Sequence, residues 1–194
     1  MRTRRVATAV IGTIALVMVA GCTINIGVPA ESSSEQSASA YSANDVMFAQ
    51  MMIPHHQQAI ELSDLALEIS QSEAITDLAQ RIKAGQGPEI DEMTRWLEES
   101  GSSSMMEGHD MGAHGMSGMV SDADVETLAS LTSPEFDVLF LELMIAHHEG
   151  ALDMLSMIED SSNADVRGLA EAIESAQRAE IEEMQGLLTG MGAS

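Results

Sequence analysis

Apolar positions between Asn44 and Ile69 recur at alternating steps of four and three: Phe48, Met52, His55, Ala59, Leu62, Ala66 and Ile69. That period lays all of them on one stripe of an α-helix, and it puts a histidine inside the stripe. Ser42 with Asp45, and Ser70 with Glu73, have capping-box spacing. They predict one helix from 44 to about 69 and a second from about 73 to 99, closed by Gly101. Ser133-Pro134-Glu135 predicts a helix reaching about Glu159, and Asn163 or a neighbour caps another that runs to about Leu188. A short helix is expected near 122–131. No segment alternates with period two over a useful length, and the chain has only 3 Phe, 1 Tyr and 1 Trp. The pattern predicts an all-α fold in which two helical hairpins pack as a four-helix bundle.

The chain repeats itself. Phe48-Ala-Gln-Met-Met-Ile-Pro-His-His-Gln-Gln-Ala-Ile-Glu-Leu is matched from Phe140 by Phe-Leu-Glu-Leu-Met-Ile-Ala-His-His-Glu-Gly-Ala-Leu-Asp-Met. The match resumes downstream, where Leu78, Ile82, Gln86, Glu89, Ile90, Met93 and Leu97 recur as Leu169, Ile173, Gln177, Glu180, Ile181, Met184 and Leu188. Each unit is therefore a hairpin. Pro54, Gly85, Gly87 and Pro88 argue for breaks, but Ala146, Ala176, Arg178 and Ala179 fill the matching places, so kinks are expected rather than ends.

The ends change the picture. Arg2, Arg4 and Arg5 precede an apolar run from Val6 to Ala20 and the sequence Val-Ala-Gly-Cys at 19–22. This reads as an export signal over 1–21 that closes like a bacterial lipoprotein box, with Cys22 the lipidated residue. Residues 22–43, rich in serine, read as a flexible tether, leaving a domain over 44–190. If Cys22 carries lipid, the domain has no thiol, which excludes thiolate zinc and iron–sulfur centres. The formal charge is −23, and without the leader five basic residues face 31 acidic ones. Such a surface repels phosphates, so no nucleic acid partner is expected.

Histidine supplies the candidate chemistry. All 6 histidines fall in three clusters: His55-His56, His147-His148, and a loop over 102–120 holding His109 and His114. On a helix, Met52 can approach either ring of the first pair, and Met144 either ring of the second. Paired seams across a pseudo-twofold axis then bring two imidazoles and two thioethers together in the core. Gln86, Glu89 and Met93, with Gln177, Glu180 and Met184, share one face of each remaining helix as orienting groups or alternative ligands. Taken singly, the methionines are ordinary core filling, and the inner imidazoles can be satisfied by Gln or Glu across the bundle. His56 and His148 lie off the seam, so exposure is one expectation for them and a share in a metal site the other.

The loop packs Met105, Met106, His109, Met111, His114, Met116 and Met119 among glycines and serines that build no core. Thioether with imidazole suits Cu(I), and imidazole with carboxylate suits Cu(II). A connector of drifted composition and a sacrificial oxidant trap are the bland alternatives. No Glu-x-x-His of a di-iron bundle is present, and no nucleophile–base constellation or phosphate loop.

The doubled His-His sentences resemble the signature of the bacterial family known as domain of unknown function 305, over roughly 44–190. The resemblance implies export and a ferritin-like four-helix fold, and links some members to copper binding or tolerance. Its motif positions here are Met52, His55, His56, Met144, His147 and His148. The expectation is a non-enzymatic, lipid-anchored protein on the outer face of the cytoplasmic membrane or in the cell envelope. It would bind, buffer or transfer a copper ion, Cu(I) or Cu(II), with a copper-handling protein as a possible partner. An oxidase-like metal centre and a metal-free structural bundle are the other readings.

Overall fold

In the computed structural model, the residues described are 40–103 and 116–192. Cys22 and the leader, most of the tether, and the loop residues His109, Met111 and His114 lie outside them. Five α-helices follow in order: α1 (Ala43–Ile69), α2 (Glu73–Ser100), α3 (Asp122–Ala129), α4 (Glu135–Met154) and α5 (Ala164–Gly190). Among the described residues there is no strand, and no helix is long and apolar enough to cross a membrane.

The ends form for local reasons. Ser42 and Asp45 close a reciprocal capping box on α1, and the Asn163 side chain accepts from the amides of Asp165 and Val166 at the start of α5. Gly101 ends α2 with φ +70°, a left-handed cap that glycine adopts without strain. The Ser70–Glu73 box does not form. Ser70 caps the end of α1 instead, its hydroxyl accepts from the Ser72 amide, and Ser72 begins α2 without a side-chain bond. The connection is too short for Ser70 to serve both helices. The helix predicted to reach Glu159 stops at Met154 and tightens into a 3-10 turn over Leu155–Met157, ahead of the turn-forming run Asp160-Ser161-Ser162. Pro54 and Pro88 both sit inside continuous helices, as the alanines of the second repeat lead one to expect.

Helix α1 pairs with α2, α4 with α5, and α1 with α4. The four-helix bundle of two hairpins is thus the observed fold, with α3 as an added short helix. Its apolar core falls into two clusters. One joins Phe48, Met52, Met93, Trp96, Ala151 and Ile173, and the other Leu62, Leu78, Ile82, Phe140, Met144 and Met184. Each of the four long helices contributes one end to each cluster, and between them, at mid-bundle, lies a layer of buried polar side chains.

A candidate metal centre at mid-bundle

His55 on α1 and His147 on α4 meet where the two repeats face each other. Their rings lie in tilted contact, with centroids 3.7 Å apart and an interplanar angle of 34°. His56 and His148 are equally buried, against the expectation of exposure. Helix α1 is covered on two sides, by α4 and by α2, so it buries two stripes: His55 faces the first and His56 the second. His56 Nε2 lies 2.8 Å from Glu89 Oε2, and His148 Nε2 lies 2.7 Å from Glu180 Oε2. The repeat is thus preserved in contacts as well as in letters. Glu89 and Glu180 hold the outer rings as orienting groups do around a metal centre.

Hydrogen-bond accounting sets the chemistry. A carboxylate or a carbonyl only accepts, so in His56, His148 and His55 alike the bonded Nε2 carries a proton. For His55 the acceptor is the Ser117 carbonyl at 3.1 Å. The Nδ1 atoms of all three rings, and both nitrogens of His147, are buried with no partner. The amide nitrogen and oxygen of Gln86 and of Gln177 are unpartnered and buried in the same way. Each such group costs about 1–3 kcal/mol in a chain that only packs. Burial, reinforced by the neighbouring His56, holds His55 down at about 3, and burial next to His55 holds His147 well below its ordinary 6.5. Both inner rings are therefore neutral at ordinary pH, which is the form a metal takes.

The residues fit a soft ion. Met52 and Met144 are fully buried one helical turn before the paired rings, and Met93 and Met184 are buried on the partner helices. No group of three or more His, Cys, Asp or Glu side chains, the buried histidines included, is placed to hold a metal among the described residues, so an ion here would have to draw on thioether or amide donors as well. Imidazole and thioether are the donors on offer. A metal–nitrogen bond of about 2 Å puts an ion roughly 3 Å from each ring centre. Two rings sharing one ion at a tetrahedral angle then stand roughly 5 Å apart. The contact at 3.7 Å is tighter, so a shared ion has to part the rings.

Met116 and Met119, half-buried, stand at the downstream end of the loop, and here the structure shows what sequence reasoning missed. Gln58 exchanges two 2.8 Å hydrogen bonds with the backbone of Val120, one given and one received. Ser117 Oγ donates to Asp153 Oδ2 at 3.2 Å. Gly118, at φ +78°, lies against α4, where a Cβ would stand 2.7 Å from the Ala146 carbonyl oxygen. A Cβ on Gly150 would collide with the Ser117 carbonyl. The available signal is a disagreement between the repeats: Gln58 and Gly150 occupy equivalent positions, three residues after the inner histidine.

A duplicated helical bundle with a buried histidine layer is the class that fold and site define. The chain belongs to the DUF305 family, a domain of unknown function whose pattern spans residues 45–188. Among solved structures it is similar to a DUF305 fragment from Deinococcus radiodurans, 34% identical, with a TM-score of 0.71 over 77% of this chain and 97% of that one. A Streptomyces coelicolor DUF305 protein described as secreted is 30% identical, with a TM-score of 0.72 over 78% and 95%. The protein CopM in its Cu(I)-bound form is 28% identical, with a TM-score of 0.64 over 76% and 96%. CopM is also known in Cu(II)-bound and silver-bound forms. None of the curated proteins matches the chain.

Proposed function

We propose that this chain is an extracytoplasmic copper-binding lipoprotein, anchored to the membrane through Cys22, which buffers copper or hands it to a copper-handling protein. The observation that carries this reading is the mid-bundle layer: buried imidazoles with unpartnered nitrogens, the inner two held neutral, set between thioethers on a duplicated frame. Support also comes from CopM, a relative seen with Cu(I), Cu(II) and silver, and from a relative described as secreted. The ligands assigned to the core are His55 and His147 with Met52 and Met144. His56 and His148 stand beside them, oriented by Glu89 and Glu180, while Gln86, Gln177, Met93 and Met184 complete the surroundings. The loop residues His109, Met111, His114, Met116 and Met119 form a second binder. We assign no catalysis.

An anaerobic Cu(I) competition titration of the full chain, beside a variant with His55→Ala and His147→Ala, tests this. Loss of about one equivalent in the variant is expected for a single core ion. Binding unchanged by the variant would move the function to the loop, and no competitive binding at all would leave a structural bundle. Oxygen uptake with Cu(I) or Fe(II) would replace the binding role by an oxidase.

A further inference from the structure

The end of the loop does more than close a connection. Met116, Ser117, Gly118 and Met119 form a β-turn, in which the Met119 amide lies 3.4 Å from the Met116 carbonyl oxygen. A β-turn brings its first and fourth Cα atoms within about 7 Å, so the two methionines share its base. The positive φ of Gly118 at the third position is what a type II turn requires. Types I and II differ by rotation of the middle peptide, while the flanking residues keep their places. Here the middle peptide is Ser117–Gly118, and its carbonyl is the group seated 3.1 Å from His55 Nε2, so the turn closes the Nε2 side of the ring and leaves the buried Nδ1 untouched.

The turn is fastened on both sides of that carbonyl. Gln58 grips Val120 through two bonds, and the missing side chain of Gly150 leaves the room in which the Ser117 carbonyl sits. The two repeats depart from each other at these residues, so the fastening singles out one ring of a symmetric pair. His55 is capped by the turn, while the turn reaches neither nitrogen of His147.

We propose that the Met116–Met119 turn is the port of the buried imidazole pair: its two thioethers receive a soft monovalent cation, and rotation of the Ser117–Gly118 peptide frees the His55 ring to take it. This rests on the core being a metal centre, as read above. When the carbonyl leaves, a water entering with the cation takes the Nε2 proton while water returns one to the free Nδ1 of the same ring, so that Nε2 offers its lone pair. No charge is gained or lost in that exchange. Met116 and Met119 deliver the ion, while Gln58 and Gly150 position the cap.

Ag(I), soft and diamagnetic, is the probe, and the full chain is the sample. Nitrogen-15 spectra of the histidine rings report occupancy at His55 and His147, and stopped-flow chelator competition reports the loading rate. With Met116→Leu and Met119→Leu together, loading should slow about fivefold or more, the rate equivalent of one net interaction, while the rings still fill. Gly150→Ala should unseat the carbonyl, shift the His55 Nε2–H signal before any silver is added, and speed loading. Gln58→Leu should do the same without crowding α4, which guards against misfolding of the alanine variant. Loading at the original rate in all three variants overturns the port. So does equal loss of rate and final ring occupancy in the double methionine variant, which would make those thioethers permanent ligands. If Ag(I) leaves the ring signals of the unaltered chain in place, the metal centre itself falls, and the port with it.

Discussion

At the scale of single residues, the mid-bundle rings are tuned by what surrounds them. His55 and His147 are held neutral by burial, so the folded chain binds fewer protons at these rings than the unfolded chain does. Their contribution to stability is complete above the unfolded value of 6.5 and is lost as pH falls below it, toward about 3 for His55. In the absence of metal, the unfolding free energy from urea titrations should therefore fall between pH 7 and pH 5, by up to about 1.4 kcal/mol per pH unit for each ring that has to stay unprotonated. His55→Gln with His147→Gln should flatten that slope, and an unchanged slope would show that other groups set it. The outer rings depend on their carboxylates. Glu89→Ala leaves the His56 Nε2–H without an acceptor, and a loss of about 1–3 kcal/mol is expected by chemical denaturation. Glu180→Ala should match it, because the second repeat makes the same contact.

At the scale of elements, the helices are almost wholly legible, because caps and apolar period are local properties. Ser42, Gly101 and Asn163 act where their chemistry says they should. The misreadings lie where one residue serves two masters: Ser70 is taken by the end of α1, and α4 gives way to a tight turn after Met154. The seam places His55 correctly, yet it misplaces His56, because a single stripe describes a helix with one neighbour and α1 has two. Helix α2 also carries slack. A Cβ added at Gly85 meets nothing within contact distance, and the matching residue of the second repeat is Ala176. Gly85→Ala should raise stability by about 0.5–1 kcal/mol, visible as a melting point a few degrees higher. A lower melting point would mean that the first repeat needs a looser helix beside its histidines.

At the scale of the whole molecule, the duplicated letters correctly announce a duplicated layer, and the inner pair does meet across the repeats. The clamp from Gln58, Ser117 and Gly150 is not legible, since it depends on where a loop's end docks across a distance in sequence that periodicity does not reach. An ion bound only by the assembled bundle should stabilise all of it. Ag(I) at a free concentration about a hundredfold above its dissociation constant should add roughly 2.7 kcal/mol to the unfolding free energy. Calorimetric scans with silver and with chelator check this, and coincident scans would argue against a site built by folding.

Two apolar clusters flank a band of amides and imidazoles whose polar atoms go largely unmet. Leucine or methionine in place of His55, Gln86, His147 and Gln177 would let the clusters merge into one continuous core. Well-packed apolar replacements of buried polar groups commonly melt higher than the originals. A laboratory selection for heat resistance alone would therefore tend to erase these four side chains first, and the more robust its winners, the less metal they would hold.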